Sequence, residues 1–129
     1  MGNYLEGKET ILVVEDNPMV QYLIAEVLTR QGYRILEATE GEEALVMCEK
    51  EKDPIDLILI DIVMPHMGGL ELIELLRQVR KDFKVLYMTG NIDEMVVHHN
   101  LLKEGVNIVQ KPFTVEELSR RVRGVLNEN

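Results

Sequence analysis

The sequence predicts an α/β fold, a doubly wound parallel sheet in which five strands alternate with five helices. Short apolar runs without polar alternation indicate the strands, because the strands of a parallel sheet are buried on both faces. Helical patterns separate these runs, and strict alternation implies right-handed crossovers with helices on both sides of the sheet. The predicted strands are residues 11–14, 33–38, 57–60, 85–88 and 106–109.

Capping signals mark the ends of the predicted helices. The starts are Asn17-Pro18, the capping-box pairs Thr39/Glu42 and Thr114/Glu117, Gly68-Gly69, and Asn91 with Glu94. Gly32 and Gly105 supply two of the stops. Apolar residues at helical spacing predict the buried faces. They are Val20, Leu23, Ile24, Val27 and Leu28 in the first helix, Leu70, Ile73, Leu76 and Val79 in the third, and Leu118, Val122, Val125 and Leu126 in the fifth.

The 129 residues are the size of one domain, with residues 1–9 as a flexible N-terminal tail or linker and residues 10–127 as the folded unit. The net charge of −9 argues against this domain gripping nucleic acid by itself, because phosphate contacts need a basic face. No apolar run reaches the ~20 residues of a membrane span, and the polar start does not resemble a signal peptide. A cytoplasmic location is therefore expected. Cys48 is expected in the core.

Polar side chains collect where the predicted strands end, at the edge where open parallel sheets bind their ligands. Glu15 and Asp16 follow the first strand, Asp61 follows the third, Thr89 the fourth and Lys111 the fifth. Three acids held close repel one another unless some protonate or a cation joins them. Mg²⁺ is the cellular default among hard cations with oxygen ligands. Asp16 and Asp61 are candidates for direct ligands, with Glu15 acting through water.

A carboxylate beside Mg²⁺ can serve as the nucleophile of phosphoryl transfer and form an aspartyl phosphate. Such transfer requires in-line placement and neutralised charge. Asp61 is the natural acceptor, because it ends the most apolar strand and precedes a loop. Lys111 would supply positive charge, and Thr89 would donate a hydrogen bond to a phosphoryl oxygen.

Four segments resemble the motifs of response regulator receiver domains, the CheY-like family of two-component signal transduction. ILVVEDNP (11–18) is similar to their first strand and acidic pair, and DLILIDIVMPHMGGLEL (56–72) to their phosphoacceptor strand and loop. VLYMTGN (85–91) and QKPF (110–113) resemble their threonine and lysine segments. The resemblance covers residues 10–126 and implies a flavodoxin-like sheet with the strand order 2-1-3-4-5. ETILVVEDNP (9–18) also resembles the C-terminal receivers of hybrid sensor histidine kinases, which favours an excised receiver over a free-standing regulator.

The resemblance also implies the chemistry of the site. Asp61 would accept a phosphoryl group from a phosphohistidine on a histidine kinase or histidine phosphotransfer domain. The implied Mg²⁺ ligands are Glu15, Asp16, Asp61 and the backbone carbonyl of Val63. The domain would be a signalling module and not an enzyme, limited to Mg²⁺-dependent self-phosphorylation and slow autodephosphorylation.

The implied switch involves Thr89, which moves toward the phosphoryl oxygens, and Lys111, which pairs with them. The Lys111-Pro112 bond is expected to be cis. The face of the fourth helix, fifth strand and fifth helix would then change its affinity for a downstream protein. Ile108 departs from the family, which often has an aromatic residue there, so the coupling between Thr89 and the partner face is expected to be altered or weaker.

Two other functions remain as alternatives. A Mg²⁺-dependent phosphohydrolase commonly shows two aspartates one residue apart after its first strand, whereas Glu15 and Asp16 are adjacent and Asp61 precedes Ile62-Val63. A docking-only pseudo-receiver would lack one of the site groups, and all are present. His66, His98 and His99 are interpreted as surface residues. Met64, Met67, Met88 and Met95 are interpreted as packing residues.

Overall fold

The computed structural model describes residues 7–90 and 107–128, which form five strands and four helices. In chain order the elements are β1 (Thr10–Val14), α1 (Pro18–Arg30), β2 (Arg34–Ala38), α2 (Gly41–Lys50), β3 (Leu57–Asp61), α3 (Gly69–Val79), β4 (Lys84–Thr89), β5 (Asn107–Gln110) and the C-terminal helix (Val115–Leu126). All strand pairs are parallel, and the order is β2-β1-β3-β4-β5. The predicted α/β class and strand order are confirmed.

The predicted fourth helix, from Asn91 and Glu94 to Gly105, lies outside the described residues. The same holds for Met95, His98 and His99. Strand limits differ by one residue from the predicted ones at several ends, which is the usual uncertainty of element boundaries. Among the described residues, no helix has the length and apolar character that a membrane span requires.

Apolar side chains fill two layers, one on each face of the sheet, because successive strand residues point to opposite faces. Leu12 and Ile58 pack with residues of α2 and α3, whereas Val13 and Leu59 pack with residues of α1 and the C-terminal helix. Every residue of β1 and β3 is buried. Each fully buried Leu or Ile contributes about 1.5–3 kcal/mol to stability. The two layers therefore hold the carboxyl ends of these strands in place.

Local capping signals are confirmed for two helices. The Asn17 side chain accepts two backbone N–H groups of the first turn of α1, and Pro18 is the first residue of that helix. Gly32 follows the helix with φ 101°, a backbone conformation that favours glycine. Thr114 and Glu117 form both hydrogen bonds of a capping box. These ends depend on contacts within a few residues, which is why sequence predicts them well.

The predicted Thr39/Glu42 capping box is wrong. Helix α2 begins at Gly41 with Glu40 as its N-cap residue, and Glu40 makes no side-chain capping hydrogen bond. Glu43 instead accepts hydrogen bonds from the backbone N–H and the hydroxyl of Thr39. The helix starts one residue later than a Thr39 cap requires, so the acid that reaches back is Glu43.

Burial departs from the apolar pattern at two positions. Leu23 on α1 is 55% exposed, and Val79 in the last turn of α3 is also exposed. Cys48, Met64 and Met88 are buried, as predicted for packing residues. Burial raises the pKa of the Cys48 thiol, which is consistent with a core residue rather than a reactive one.

Part of the segment that the sequence assigned to a tail contacts the domain. The Gly7 N–H donates to the carbonyl oxygen of Gln31 (3.1 Å), and the Arg34 N–H donates to that of Glu9 (3.0 Å). The Glu9 carboxylate pairs with Arg123 of the C-terminal helix at 2.5 Å. Residues before β1 are thus joined to the C-cap residue of α1, to β2 and to the C-terminal helix.

Replacing Glu9 with Gln should lower the free energy of unfolding by about 0.5–1 kcal/mol at pH 7. The hydrogen bond from Arg123 is the main cause that holds the pKa of Glu9 below its usual value of 4.5. A carboxyl group with a lowered folded-state pKa stabilises the fold above its unfolded-state pKa. This stability is lost as the pH falls through the folded-state value. Urea denaturation of both proteins between pH 7 and pH 2 measures the difference.

Glu26→Gln is the matched control, because Glu26 forms an exposed pair with Arg30 within α1 and should contribute little. The difference in unfolding free energy between Glu9→Gln and the parent protein should disappear at pH 2. A difference that is the same at pH 2 as at pH 7 would contradict a stabilising ion pair between Glu9 and Arg123.

Candidate functional site

Three carboxyl groups meet at the carboxyl edge of the sheet. Glu15 and Asp16 follow β1 directly, and Asp61 is the last residue of β3, which pairs with β1. One carboxylate oxygen from each residue lies within 4.8 Å of the others. Glu15 is 1% exposed and Asp61 is 7% exposed, whereas Asp16 is exposed. The structure therefore brings the predicted acids together and withdraws two of them from water.

Lys111 supplies a positive charge between two of these acids. Its Nζ lies 2.7 Å from Glu15 Oε1 and 2.7 Å from Asp61 Oδ2, and 21% of its side chain is exposed. Lys111 follows β5, and its N–H donates to the carbonyl oxygen of Thr89 at the end of β4 (2.7 Å). The Lys111-Pro112 peptide bond is cis. Two charge-assisted hydrogen bonds from one ammonium thus join carboxylates that would otherwise repel each other.

The second oxygen of each buried carboxylate contacts backbone. Glu15 Oε2 accepts the N–H of Asn17 (3.0 Å), and Asp61 Oδ1 accepts the N–H of Val63 (3.1 Å). Both acids are therefore hydrogen-bonded on both oxygens, as buried charges require. The turn after β1 and the loop after β3 fix the direction in which the acids point.

Burial and hydrogen bonding shift the pKa values of Glu15 and Lys111. Burial raises the pKa of Glu15, and this outweighs the lowering by the hydrogen bonds from Lys111 and Asn17. Burial alone would lower the pKa of Lys111, but the hydrogen bonds to Asp61 and Glu15 more than compensate, so its pKa is raised. Both shifts mean that the cluster retains protons more readily than the separate groups do. A further cation is favourable in such a site.

The donor set fits a small hard cation. Three carboxylates in reach of one another offer the oxygen ligands that Mg²⁺ prefers, with room for water on the side of the exposed Asp16. Val63, whose carbonyl the resemblance adds to the set, is in the loop that contacts Asp61. The residues present are therefore compatible with Mg²⁺.

Thr89 and Ile108 lie on the two strands farthest from β2. Thr89 ends β4, is buried, and is the register partner of Gln110. Ile108 is buried opposite Tyr87 and belongs to the core layer of α2 and α3. The carbonyl oxygen of Ile108 accepts a hydrogen bond from Arg121 of the C-terminal helix (2.6 Å). The strand that carries position 108 is thus tied to that helix.

Two residues near the site were not singled out from the sequence. Gly69 was predicted only as a helix start, yet a Cβ atom there would overlap the carbonyl oxygen of Asp61. Gln21 lies on the buried face of α1 with Ile24 and Leu28, and a polar residue at that spacing was the available signal. His66 is exposed in the loop after β3 with φ 71°, in agreement with a surface histidine.

A family model for the response regulator receiver domain matches residues 11–123. The chain belongs to the response regulator receiver family. As a receiver, it is a module of two-component phosphorelay signalling, and such modules interact with histidine kinases and downstream effectors. Receivers typically bind Mg²⁺ in an acidic pocket, and Glu15, Asp16 and Asp61 form an acidic cluster here.

Individual relatives agree with this family. The receiver is 34% identical to the alkaline phosphatase synthesis transcriptional regulatory protein PhoP of Bacillus subtilis over 92% of this chain and 49% of that protein. It is 28% identical to sporulation initiation phosphotransferase F of the same organism over 92% of this chain and 94% of that protein. The chain spans about half the length of the first curated relatives it matches.

A solved structure gives the same answer for the fold. The receiver domain of the hybrid histidine kinase CckA is 31% identical to this receiver, with a TM-score of 0.76 over 92% of this chain and 99% of that one. The predicted resemblance to receivers, including hybrid-kinase receivers, is thereby confirmed.

Gly69→Ala should destabilise the receiver by about 1–3 kcal/mol, because the added methyl group overlaps the Asp61 carbonyl and forces the end of β3 to shift. Gly124→Ala is the matched control. It lies in the C-terminal helix with nothing within 4 Å of its Cβ position, so the change should stabilise by about 0.5–1 kcal/mol. Chemical denaturation measures both values. Equal effects of the two substitutions would contradict the close approach at Gly69.

Proposed function

We propose that Asp61 accepts a phosphoryl group from a phosphohistidine on a histidine kinase or histidine phosphotransfer domain, and that residues 10–127 form the receiver that carries it. The observation that carries the proposal is the position of Asp61. It is a buried carboxylate at a strand end, with one oxygen on the ammonium of Lys111 and two further carboxylates within reach. This setting would allow Asp61 to contact a cation and the oxygens of a phosphoryl group.

The residues that would hold Mg²⁺ are Glu15, Asp16, Asp61 and the backbone carbonyl of Val63. When bound, the ion neutralises the charge that builds up between carboxylate and phosphoryl oxygens. The fit of the donor set supports this assignment.

The covalent step transfers the phosphoryl group between two nucleophiles. An Asp61 carboxylate oxygen forms a bond to phosphorus while the bond from phosphorus to the donor histidine nitrogen breaks, and the nitrogen keeps the electron pair. Lys111 then pairs with the phosphoryl oxygens, and the Thr89 hydroxyl donates a hydrogen bond to one of them. Their places beside Asp61, at the ends of β5 and β4, support these roles.

The domain acts as a signalling module whose own chemistry is limited to self-phosphorylation and slow hydrolysis of the aspartyl phosphate. The aspartyl phosphate is the stored signal, so hydrolysis ends it. Two of the three acids in the cluster, Glu15 and Asp61, are already paired with Lys111, which leaves them poorly placed to act as a general base. The cytoplasm is the proposed location, because kinases draw their phosphoryl groups from cytoplasmic ATP.

An apolar groove supports a protein as the donor. A groove of about 540 Å³ lies between α1 and the start of the C-terminal helix, and its lining includes Leu23, Lys111, Phe113 and Val115. Leu23 and Val115 are exposed, as is Tyr22 on the same helix as Leu23. A phosphohistidine domain with an apolar surface would cover these side chains and bring its histidine near Asp61.

The proposed output is a change in affinity for a downstream protein. The face consists of the predicted fourth helix, which lies outside the described residues, together with β5 and the C-terminal helix. Thr89 and Ile108 are the proposed switch residues, and the hydrogen bond from Arg121 to the Ile108 carbonyl offers a link to the C-terminal helix. The net charge of −9 supports a protein partner rather than direct contact with nucleic acid.

Incubation with acetyl phosphate should give a single phosphoryl adduct that requires Mg²⁺ and is absent from Asp61→Asn. Intact-mass spectrometry with and without MgCl₂ measures the adduct. Asp82→Asn, an exposed change before β4, is the control and should be phosphorylated like the parent protein. An unmodified parent protein, with acetyl phosphate and with phosphorylated kinases, would contradict the proposal and favour a receiver that only docks partners.

Leu23→Glu should slow phosphoryl transfer from a phosphorylated histidine kinase about tenfold, because burying an unpaired carboxylate in an apolar interface costs more than 1.4 kcal/mol. Its rate with acetyl phosphate should stay within twofold of the parent rate. Val46→Glu is the control, because Val46 is also exposed but lies on α2, on the other face of the sheet. A kinase selected by phosphotransfer profiling serves as the donor. Equal slowing by both substitutions would contradict docking in the groove.

A further inference from the structure

Gln21 is a buried polar residue at the point where β1 ends. It lies on the inner face of α1 and is 6% exposed, next to the apolar residues Ile24, Ala25 and Leu28. A buried primary amide is costly unless its hydrogen bonds are made, and an apolar residue of similar size would fill the same space. The polar group therefore needs an explanation beyond packing.

The amide nitrogen of Gln21 bridges the ends of two strands. Its Nε2 donates to the carbonyl oxygen of Ala38, the last residue of β2, at 2.6 Å, and makes a longer contact of 3.4 Å with the carbonyl oxygen of Glu15. The Ala38 carbonyl also accepts the N–H of Glu15 at 3.1 Å. Both backbone groups of Glu15 are thus held at one junction.

The Glu15 carbonyl belongs to the peptide unit that joins Glu15 to Asp16. The orientation of this unit decides where the next residue points its side chain. Glu15 is further fixed through its own carboxylate, which contacts Lys111 and the N–H of Asn17. Asp16 is exposed, so its position relative to Asp61 depends on the backbone. A donor on the Glu15 carbonyl is therefore well placed to orient the acidic pair.

We propose that Gln21 is a positioning residue that holds the peptide unit between Glu15 and Asp16 and thereby sets the affinity of the acidic cluster for Mg²⁺. The inference rests on the proposed function, because it concerns the same cation site. Gln21 acts through the backbone and does not touch the ion. Removing a group that orients a metal ligand without touching the metal typically lowers metal affinity ten- to a hundredfold.

The test compares Gln21→Met with the parent protein in an NMR titration with MgCl₂. Methionine has a similar length and shape but no hydrogen to donate. The dissociation constant for Mg²⁺ should rise about tenfold, and the thermal midpoint without Mg²⁺ should fall modestly. Gln21→Asn, which is polar but too short to reach both carbonyls, should give the same change in affinity and serves if Gln21→Met does not fold.

Ser119→Ala is the matched control. Ser119 is also buried, on the C-terminal helix, and its hydroxyl accepts a hydrogen bond from Gln31 at 2.5 Å, away from the acids. This variant should lose thermal stability and keep the parent affinity for Mg²⁺. Unchanged affinity in both Gln21 variants, with a parent protein that binds Mg²⁺, would overturn the inference alone. A parent protein that does not bind Mg²⁺ would overturn the cation site and the inference together.

Discussion

One ammonium group shared by two buried carboxylates is the interaction on which the site depends. Lys111 contacts Glu15 and Asp61 at 2.7 Å each, and the three groups arrive from β5, β1 and β3. Without a positive partner, carboxylates this close would not both remain ionised. The cluster holds more negative than positive charge, because one ammonium faces two buried carboxylates and Asp16 adds a third within the same 4.8 Å group. Such an excess of negative charge favours the binding of a cation.

The sheet brings these residues together although they are far apart in sequence. The strand order is β2-β1-β3-β4-β5, so β2 lies on one side of β1 and β3 lies on the other. The strand order therefore reverses between the neighbours β1 and β3. Ligands of open α/β sheets bind at such a point, outside the carboxyl ends of the strands. The two buried layers pack against both faces of β1 and β3, and the side chains of the site follow the ends of these strands.

Sequence-based prediction succeeded where it depended on local signals, such as helix caps, or on the topology of a parallel sheet. Asn17 and Thr114 cap their helices through contacts within three residues, and sheet logic alone placed the acids together. It failed where a long-range contact decides. Leu23 has the spacing of a buried helical face but lines an open groove. Gln21, on the same helix, is buried, and its amide nitrogen donates to two backbone carbonyl oxygens. Helical periodicity predicts which residues share a face of the helix. It does not predict whether another part of the protein covers that face.

Asp61 is proposed to become the covalent carrier of the phosphoryl group. Sodium borohydride reduces an aspartyl phosphate to homoserine, which peptide mass spectrometry locates by residue. After phosphorylation in Mg²⁺ and reduction, homoserine is predicted at position 61, with Glu15 and Asp16 unchanged. Reduction at another acidic residue, or an adduct on His66 that borohydride leaves intact, would contradict the assignment of Asp61.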